Sequence, residues 1–163
     1  MVIRTTYLKF SGFLIALAVA AASLAFSPPA RADETGTADE AIALTKQAIA
    51  AIKSDGPEKA YAALRDPSGP FMVKDLYVFC LDMNGVVLIH GRSPALAGRN
   101  MSEFKDSDGK LFNTEMIKVA KSGAGGWVDY KWANPTTKKI EPKSSYVEAV
   151  DDKSFCGVGI YKK

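Results

Sequence analysis

The sequence predicts an α+β fold in which helices pack against a five-stranded, mostly antiparallel sheet. Apolar residues recur at helical spacing between residues 37 and 64, whereas from residue 76 onward short apolar and aromatic segments alternate with turn residues. Helices that precede a run of strands are typical of α+β domains rather than of alternating βαβ units. The predicted order is helix, helix, two strands, helix and three strands.

The first helix is predicted to begin after Thr37, because Thr37 and Glu40 have the spacing of a capping box. Glycine and proline at 56–57 end this helix near Asp55 and start a second, short helix that ends near Leu64. The residues expected on the buried side of the first helix are Ile42, Leu44, Thr45, Ala48, Ile49 and Ile52.

The pattern changes at Leu76, where a segment rich in aromatic and β-branched residues continues to Asp82 and predicts a strand. The pair at 84–85, Asn-Gly, predicts a hairpin turn because both residue types tolerate positive φ. Residues 86–90 are therefore expected to return as the partner strand, followed by a loop over residues 91–110.

The second half of the chain is predicted to contain one more helix and three strands. The helix covers residues 111–121, and the strands cover residues 127–132, 144–150 and 155–161. The residues expected on the buried side of the helix are Leu111, Phe112, Met116 and Val119.

The N-terminal 32 residues have the order of a secretory signal peptide. Arg4 and Lys9 form a positive region, an apolar run covers residues 13–26, and Ala30-Arg31-Ala32 has the small residues of a cleavage site. We expect cleavage before Asp33, which leaves one domain of residues 33–163 in the periplasm or secreted. An uncleaved membrane anchor is the alternative, although the apolar run is shorter than the roughly 20 residues of a spanning helix.

The net charge of the chain comes from this N-terminal segment. The full sequence has 21 basic and 18 acidic residues, and the three basic residues before Asp33 leave 18 of each. A neutral domain offers no support for a nucleic-acid partner or an anionic membrane surface. No second apolar stretch is long enough to span a membrane. We therefore expect the domain to act alone or through another protein, such as a membrane receptor or histidine kinase.

The sequence does not favour an enzyme, a metal site or a cofactor. His90 is the single histidine, and the glycines at 123–126 lack the Lys-Ser/Thr of a phosphate loop. Asp106 and Asp108 suggest calcium, but the first ligand position of such a loop would be Phe104. We expect these carboxylates to cap the helix that follows them.

One cluster of aromatic and cationic residues indicates ligand binding. Its members lie within 20 residues of each other: Trp127, Tyr130, Trp132, Lys143 and Tyr146. On a strand Tyr130 and Trp132 share one face, and an apolar pocket with few polar groups is the usual site for a small molecule. The alternatives are that the aromatics fill a sheet core and that Lys143 forms a surface salt bridge with Glu141 or Asp129.

Several segments, in this order and spacing, resemble the single-Cache family of type 2. They extend over residues 37–161 and include 78–85 (VFCLDMNG), His90, 96–100 (LAGRN), 105–110 (KDSDGK), 126–132 (GWVDYKW), 134–135 (NP), 142–146 (PKSSY) and 157–161 (GVGIY). The resemblance implies a PAS-like fold, with a long N-terminal helix packed on a five-stranded antiparallel sheet that holds a ligand.

Members of this family are extracytoplasmic parts of chemoreceptors and histidine kinases, and some are free secreted proteins. Their ligands include short carboxylates such as acetate, propionate, lactate and pyruvate. The resemblance therefore implies a periplasmic domain that binds a small organic acid and has no transmitter of its own. The alternative is an interaction module that docks on a membrane histidine kinase or chemoreceptor and needs no ligand.

From this resemblance we expect carboxylate capture by six residues. Lys143 supplies charge, Tyr146 and Tyr130 supply hydroxyl donors, Trp132 supplies an apolar wall, and either His90 or Arg92 closes the mouth; these are the site residues Lys143, Tyr146, Tyr130, Trp132, His90 and Arg92. The alternative for His90 is a strand-end residue bonded to backbone. The chain has Gly-Arg after His90 where the family usually has proline, which adds a guanidinium to this loop.

The two cysteines, Cys80 and Cys156, are separated by 76 residues and form no C-x-x-C motif. In an oxidising compartment such a pair is either a structural disulfide or two free thiols. The strand order of the family places the first and last strands side by side, and this implies that the pair can form a disulfide.

Overall fold

The computed structural model describes residues 35–162, so the segment expected to be a signal peptide lies outside the described residues. Helix α1 covers Ala38–Asp55 and α2 covers Pro57–Arg65. The predicted capping box is present: the Thr37 hydroxyl accepts the Glu40 N–H, and the Glu40 carboxylate accepts the Thr37 N–H. The first two predicted helices are thus confirmed, including their boundaries to within one residue.

The strands are β1 Met72–Val73, β2 Leu76–Asp82, β3 Val87–His90, β4 Gly126–Ala133, β5 Ile140–Ala149 and β6 Ser154–Tyr161. They form one antiparallel sheet with the order β3-β2-β6-β5-β4, and the short strand β1 also pairs with β2. Between β3 and β4 lie a 3₁₀ turn, Pro94–Leu96, and helix α3, Phe112–Lys121. The five predicted strands are present, and the α+β class is confirmed.

Two boundaries differ from the predictions for local reasons. Strand β5 begins at Ile140 rather than at residue 144, because pairing with β4 continues through Pro142 opposite Lys131. Leu111 is 37% exposed rather than buried, because it precedes α3 and has non-helical φ and ψ angles.

The sheet has a core on each face, since side chains alternate along each strand. On β2, Val78 and Cys80 face the core that includes α1, whereas Phe79 and Leu81 face the core that includes α3. The α3 side also contains Val128 and Tyr130 from β4, Val147 from β5 and Phe155 from β6. This second face, between the sheet and α3, contains the candidate site.

Cys80 and Cys156 are direct cross-strand partners on β2 and β6, and the structure joins them by a disulfide. We expect no reactive thiol in the denatured, non-reduced protein and two after reduction. Cys80→Ala/Cys156→Ala should lower the free energy of unfolding by about 4 kcal/mol, since the bond closes a long loop in the unfolded chain. Urea unfolding with and without reductant measures this, and the double variant should be insensitive to reductant. Two free thiols in the non-reduced protein would contradict the bond.

The carboxylates of the 105–110 loop do not cap α3, contrary to the expectation. Asp106 instead accepts the N–H groups of Asp108 and Lys110 within its own loop, and its second oxygen accepts the Lys131 N–H of β4 at 2.9 Å. The start of α3 has no side-chain cap. Asp106 therefore ties this loop to the sheet edge, and no cluster of three or more potential metal ligands occurs among residues 35–162.

Within the described part of the chain, no helix combines the length and the apolar character required to cross a membrane.

Candidate ligand-binding site

The centre of the candidate site is the ammonium group of Lys143, on β5. The side chain is 1% exposed and lies on the α3 face of the sheet, together with Ser145 and Val147. Its Nζ donates a hydrogen bond to the Tyr77 hydroxyl at 2.7 Å and a longer one to the Tyr161 hydroxyl at 3.4 Å. The same Nζ lies 4.0 Å from the ring centroid of Tyr77 and 4.7 Å from that of Tyr161. Two tyrosines thus solvate this cation with hydroxyl groups and ring faces.

Among the described residues, no carboxylate lies within 4 Å of the Lys143 ammonium. The alternative of a surface salt bridge is wrong, because Asp129 pairs with Lys162 and Glu141 accepts hydrogen bonds from neighbouring side chains. Burial lowers the pKa of Lys143 to about 7, and the nearby negative charge of Asp75 acts in the opposite direction. The site therefore holds a cation that has no directly paired anion.

Asp75 is itself buried, at 2% exposure, and its Oδ1 accepts the Gly36 N–H at 2.6 Å. It lies in the turn between β1 and β2, one residue after Lys74, whose φ of 59° allows this tight connection. Asp75 thus contributes negative charge near Lys143 while its own hydrogen bond goes to the segment that precedes α1.

His90 is a neutral hydrogen-bond donor at the end of β3. Its Nδ1 accepts the Ser93 N–H at 3.0 Å, which assigns the remaining proton of the neutral ring to Nε2. Burial, together with the charge of Lys143, lowers the pKa of His90 to about 3, so the ring is uncharged at neutral pH. The centroid of the His90 ring lies 5.0 Å from the ring centroid of Tyr77 and 6.2 Å from that of Trp132. The residue is bonded to backbone, and it also faces the pocket.

Tyr130 and Trp132 form the β4 side of the site, as expected from their shared face. The Tyr130 ring stacks on Phe112 of α3 with 4.4 Å between centroids, and its hydroxyl is hydrogen-bonded to Ser145 Oγ at 2.9 Å. Trp132 packs against Phe112 in an edge-to-face arrangement, with 5.7 Å between the ring centroids. Burial raises the pKa of Tyr130 well above its usual value, so its hydroxyl stays protonated and available for hydrogen bonding.

These residues enclose a small pocket between the sheet and α3. Most of its walls are apolar, and the polar groups that line it are His90, Asn113 and Tyr130. The lining residues are Phe79, Leu81, Val87, His90, Leu96, Met101, Phe112, Asn113, Met116, Tyr130 and Trp132. Lys143 is not one of the lining residues. It is linked to the pocket through its cross-strand partner Tyr130 and through Tyr77, which accepts its hydrogen bond and lies against His90. Apolar walls with a few polar groups are characteristic of small-ligand sites.

Tyr146 does not join this group. It lies three positions after Lys143 on the same strand, and residues an odd number of positions apart point to opposite faces of a sheet. The Tyr146 hydroxyl donates to Glu148 Oε2 at 2.9 Å. The Tyr146 ring packs against Trp127 with 5.6 Å between the ring centroids. The expectation that Tyr146 supplies a hydroxyl to the same ligand as Lys143 does not fit this geometry.

Arg92 is exposed, and its Nη2 donates to the Lys74 carbonyl at 3.1 Å. With Tyr77 and Trp132 it lines an open depression that also includes Ser93, Asn134 and Lys138. Trp132 lines both this depression and the enclosed pocket. Arg92 thus lies at the outer side of the site, whereas His90 lies inside it.

Sequence reasoning missed both tyrosines that contact Lys143. Tyr77 lies two positions before Phe79 on β2, and Tyr161 is the cross-strand partner of Lys143 on β6. The period-two alternation of β2 and β6 indicates which residues share a face, but only the register between strands brings these two hydroxyls to one ammonium.

Comparison with known proteins identifies relatives in two classes of receptor. The chain is 37% identical over 89 residues to the sensor histidine kinase MctS of Rhizobium johnstonii, and 27% identical over 88 residues to the methyl-accepting chemotaxis protein McpP of Pseudomonas putida. These alignments cover 54% and 53% of this chain but 19% and 16% of the two relatives, so the chain spans less than a fifth of their length.

Solved structures share the fold over most of this chain. A methyl-accepting chemotaxis protein from Vibrio parahaemolyticus has a TM-score of 0.66 and 26% identity, over 76% of this chain and 86% of that chain. A Cache chemosensory domain, described by its recognition of carboxylic acids, has a TM-score of 0.65 and 23% identity, over 77% of this chain and 92% of that chain. At 23% identity the second likeness concerns the fold alone.

The model of the family Single Cache domain 2 matches residues 26–161, which is most of the chain. The relatives and structural neighbours are sensors, and the long N-terminal helix packed on an antiparallel sheet agrees with their fold. This chain belongs to the Single Cache domain 2 family.

Proposed function

We propose that this protein is a periplasmic sensor domain that binds a short-chain carboxylate through Lys143 and catalyses no reaction. The observation that carries the proposal is the buried Lys143 ammonium, which has no carboxylate within 4 Å among the described residues. A buried cation in this state is stabilised by an anion that enters the site. A structural neighbour with the same fold is described by its recognition of carboxylic acids, and we propose the same ligand class for this protein.

The groups around Lys143 suit a carboxylate with a short apolar tail. The ammonium has three N–H donors, the hydroxyls of Tyr77 and Tyr161 lie at its side, and His90 offers its Nε2–H. Charge-assisted hydrogen bonds are roughly twice as strong as neutral ones, so we assign the largest contribution to Lys143. The tail then lies along Phe112 and the other apolar walls of the pocket.

The small size of the pocket and the positive charge beside it support a small anion. The space between the sheet and α3 is narrow, which favours acids of two to four carbons. Arg92 and Lys138 both line the outer depression beside Trp132, and among residues 35–162 no acidic side chain lines it. Two positive charges beside the pocket attract anions from solution.

The proposal includes export and a signalling partner. We propose that residues 1–32 are removed before Asp33 and that residues 33–163 form the periplasmic Cache domain. We further propose that this domain signals through a membrane chemoreceptor or histidine kinase, a choice that its similarity to MctS and McpP supports.

A panel of two- to four-carbon carboxylates tests the proposed function. Because a ligand that binds only the native state stabilises it, a carboxylate at 100 times its Kd should raise the free energy of unfolding by about 2.7 kcal/mol. Thermal-shift assays identify the acid, and calorimetry then measures its affinity. The matched control is the primary amide of the same acid, which has the same shape without the negative charge.

The outcome that contradicts the proposal is a panel in which no carboxylate stabilises the protein more than its amide does. An absent shift combined with co-purification of a membrane kinase or chemoreceptor would instead favour the ligand-independent docking module.

A further inference from the structure

We propose that Gly159 is a positioning residue of the site: the absence of a side chain at this position gives the Lys143 stem its path across β6 to Tyr77. This inference refines the proposed carboxylate site, but its evidence is the packing around β6.

The path crosses the centre of the sheet. Lys143 lies on β5 opposite Tyr161 of β6, whereas Tyr77 lies on β2, which pairs with the other edge of β6. To donate to the Tyr77 hydroxyl at 2.7 Å, the lysine side chain must therefore pass over β6. Gly159 is buried on β6, directly opposite Ser145, the next residue on the lysine-bearing face of β5.

A side chain at Gly159 would occupy that path. A Cβ atom built there would overlap with Cε of Lys143 and with Oγ of Ser145. The φ angle of Gly159 lies outside the left-handed region, so the backbone conformation does not itself require glycine. The constraint is thus the space that the lysine stem occupies, rather than the backbone angle.

Gly157 provides a matched control on the same strand and the same face. A Cβ atom there would lie 2.7 Å from the Tyr146 carbonyl oxygen, 2.7 Å from Val147 Cγ1 and 2.8 Å from Phe79 Cζ. Gly157→Ala therefore also crowds the sheet, but it crowds the apolar core and leaves the path of the lysine open. The two substitutions separate general crowding from displacement of Lys143.

The test combines each glycine substitution with Lys143→Ala and measures unfolding by urea. Gly159→Ala should raise the unfolding equilibrium constant. If the overlap with Lys143 is the cause, this increase should be at least tenfold smaller with alanine at position 143 than with lysine. Gly157→Ala should have the same effect with lysine or alanine at position 143. The set is repeated with Ser145→Ala, because the new Cβ also meets the Ser145 hydroxyl. These measurements use the protein without ligand.

A second measurement follows the titration of Lys143 by NMR on 13C-labelled lysine, with Lys143→Met for assignment. In wild type and in Gly157→Ala this lysine should titrate near pH 7, whereas in Gly159→Ala its pKa should move toward the ordinary lysine value of about 10.4 as it is displaced to solvent. A packing defect that left the ammonium in place would not cause this change.

Each outcome decides the inference. If Gly159→Ala fails to fold, folding of the Lys143→Ala/Gly159→Ala variant supports it, and failure of that variant both with and without Ser145→Ala contradicts it. Two further results contradict it. One is an equal loss in the free energy of unfolding from Gly159→Ala with lysine and with alanine at position 143, and the other is an unchanged Lys143 titration in folded Gly159→Ala. If wild type binds no carboxylate although Lys143→Ala rescues Gly159→Ala, the proposed function fails and the positioning role remains.

Discussion

Replacing Lys143 by methionine is expected to weaken carboxylate binding by about 100-fold or more. Methionine retains an unbranched apolar stem but removes the charge and the donors, and hydrogen bonds to charged groups contribute about 1.5–3 kcal/mol each. The fold should persist, because the substitution also removes a buried ammonium that has no paired carboxylate. Calorimetry with the tightest acid of the panel measures the loss.

Lys162→Met is the matched control for this substitution. The Lys162 side chain is about half exposed and pairs with Asp129. It lies outside the pocket between the sheet and α3. Its replacement removes the same formal charge but should leave affinity within about twofold of wild type, since exposed ion pairs contribute little. Equal losses in the two variants would indicate an effect of net charge rather than of the site.

The affinity for a carboxylate is expected to fall as pH rises above 7. The protonated form of Lys143 binds the anion, and in the free protein burial lowers the pKa of this group to about 7. About half of the Lys143 side chains are protonated at pH 7 and about one in a hundred at pH 9, so the apparent Kd should increase by roughly 50-fold between these pH values. Binding should raise the pKa of Lys143, and calorimetry near pH 8 in two buffers of different ionisation enthalpy should detect proton uptake.

The same titration has a predicted effect on stability without ligand. Between pH 7 and about 10 the unfolded chain keeps the Lys143 proton that the native state has lost, so the free energy of unfolding should increase with pH in this window. Tyr77 and Tyr161 act in the opposite direction above pH 10, because burial raises their pKa in the native state. The Lys143→Met variant should lack the increase between pH 7 and 10. A wild-type affinity that is constant from pH 6 to 9 would contradict a titrating Lys143 in the site.

Much of the fold could be predicted because its signals are local. The Thr37 and Glu40 capping box starts α1 at Ala38, and the change of period at Leu76 gives the start of β2. The boundary of β5 was less accessible, since proline usually ends a central strand, yet Pro142 is opposite Lys131 in the β4–β5 pairing.

The site was predictable only in part, because its residues come together through strand register and packing on α3. Face parity from sequence alone groups Tyr130 with Trp132 and separates Tyr146 from Lys143. By contrast, the tyrosines at 77 and 161 reach Lys143 only when β6 lies between β2 and β5. Asp106 shows the same limit, since its bond to the Lys131 N–H joins residues that are 25 positions apart.

A crystal structure of the domain with the tightest acid of the panel tests the central claim most directly. We expect the carboxylate oxygens within about 2.7–2.9 Å of the Lys143 ammonium, the usual length for such charge-assisted bonds, and the tail against Phe112 and Met116. The amide of the same acid should leave the pocket unoccupied under the same conditions. A carboxylate bound elsewhere, for example at Arg92 in the outer depression, with Lys143 still bonded only to Tyr77 and Tyr161, would contradict the account.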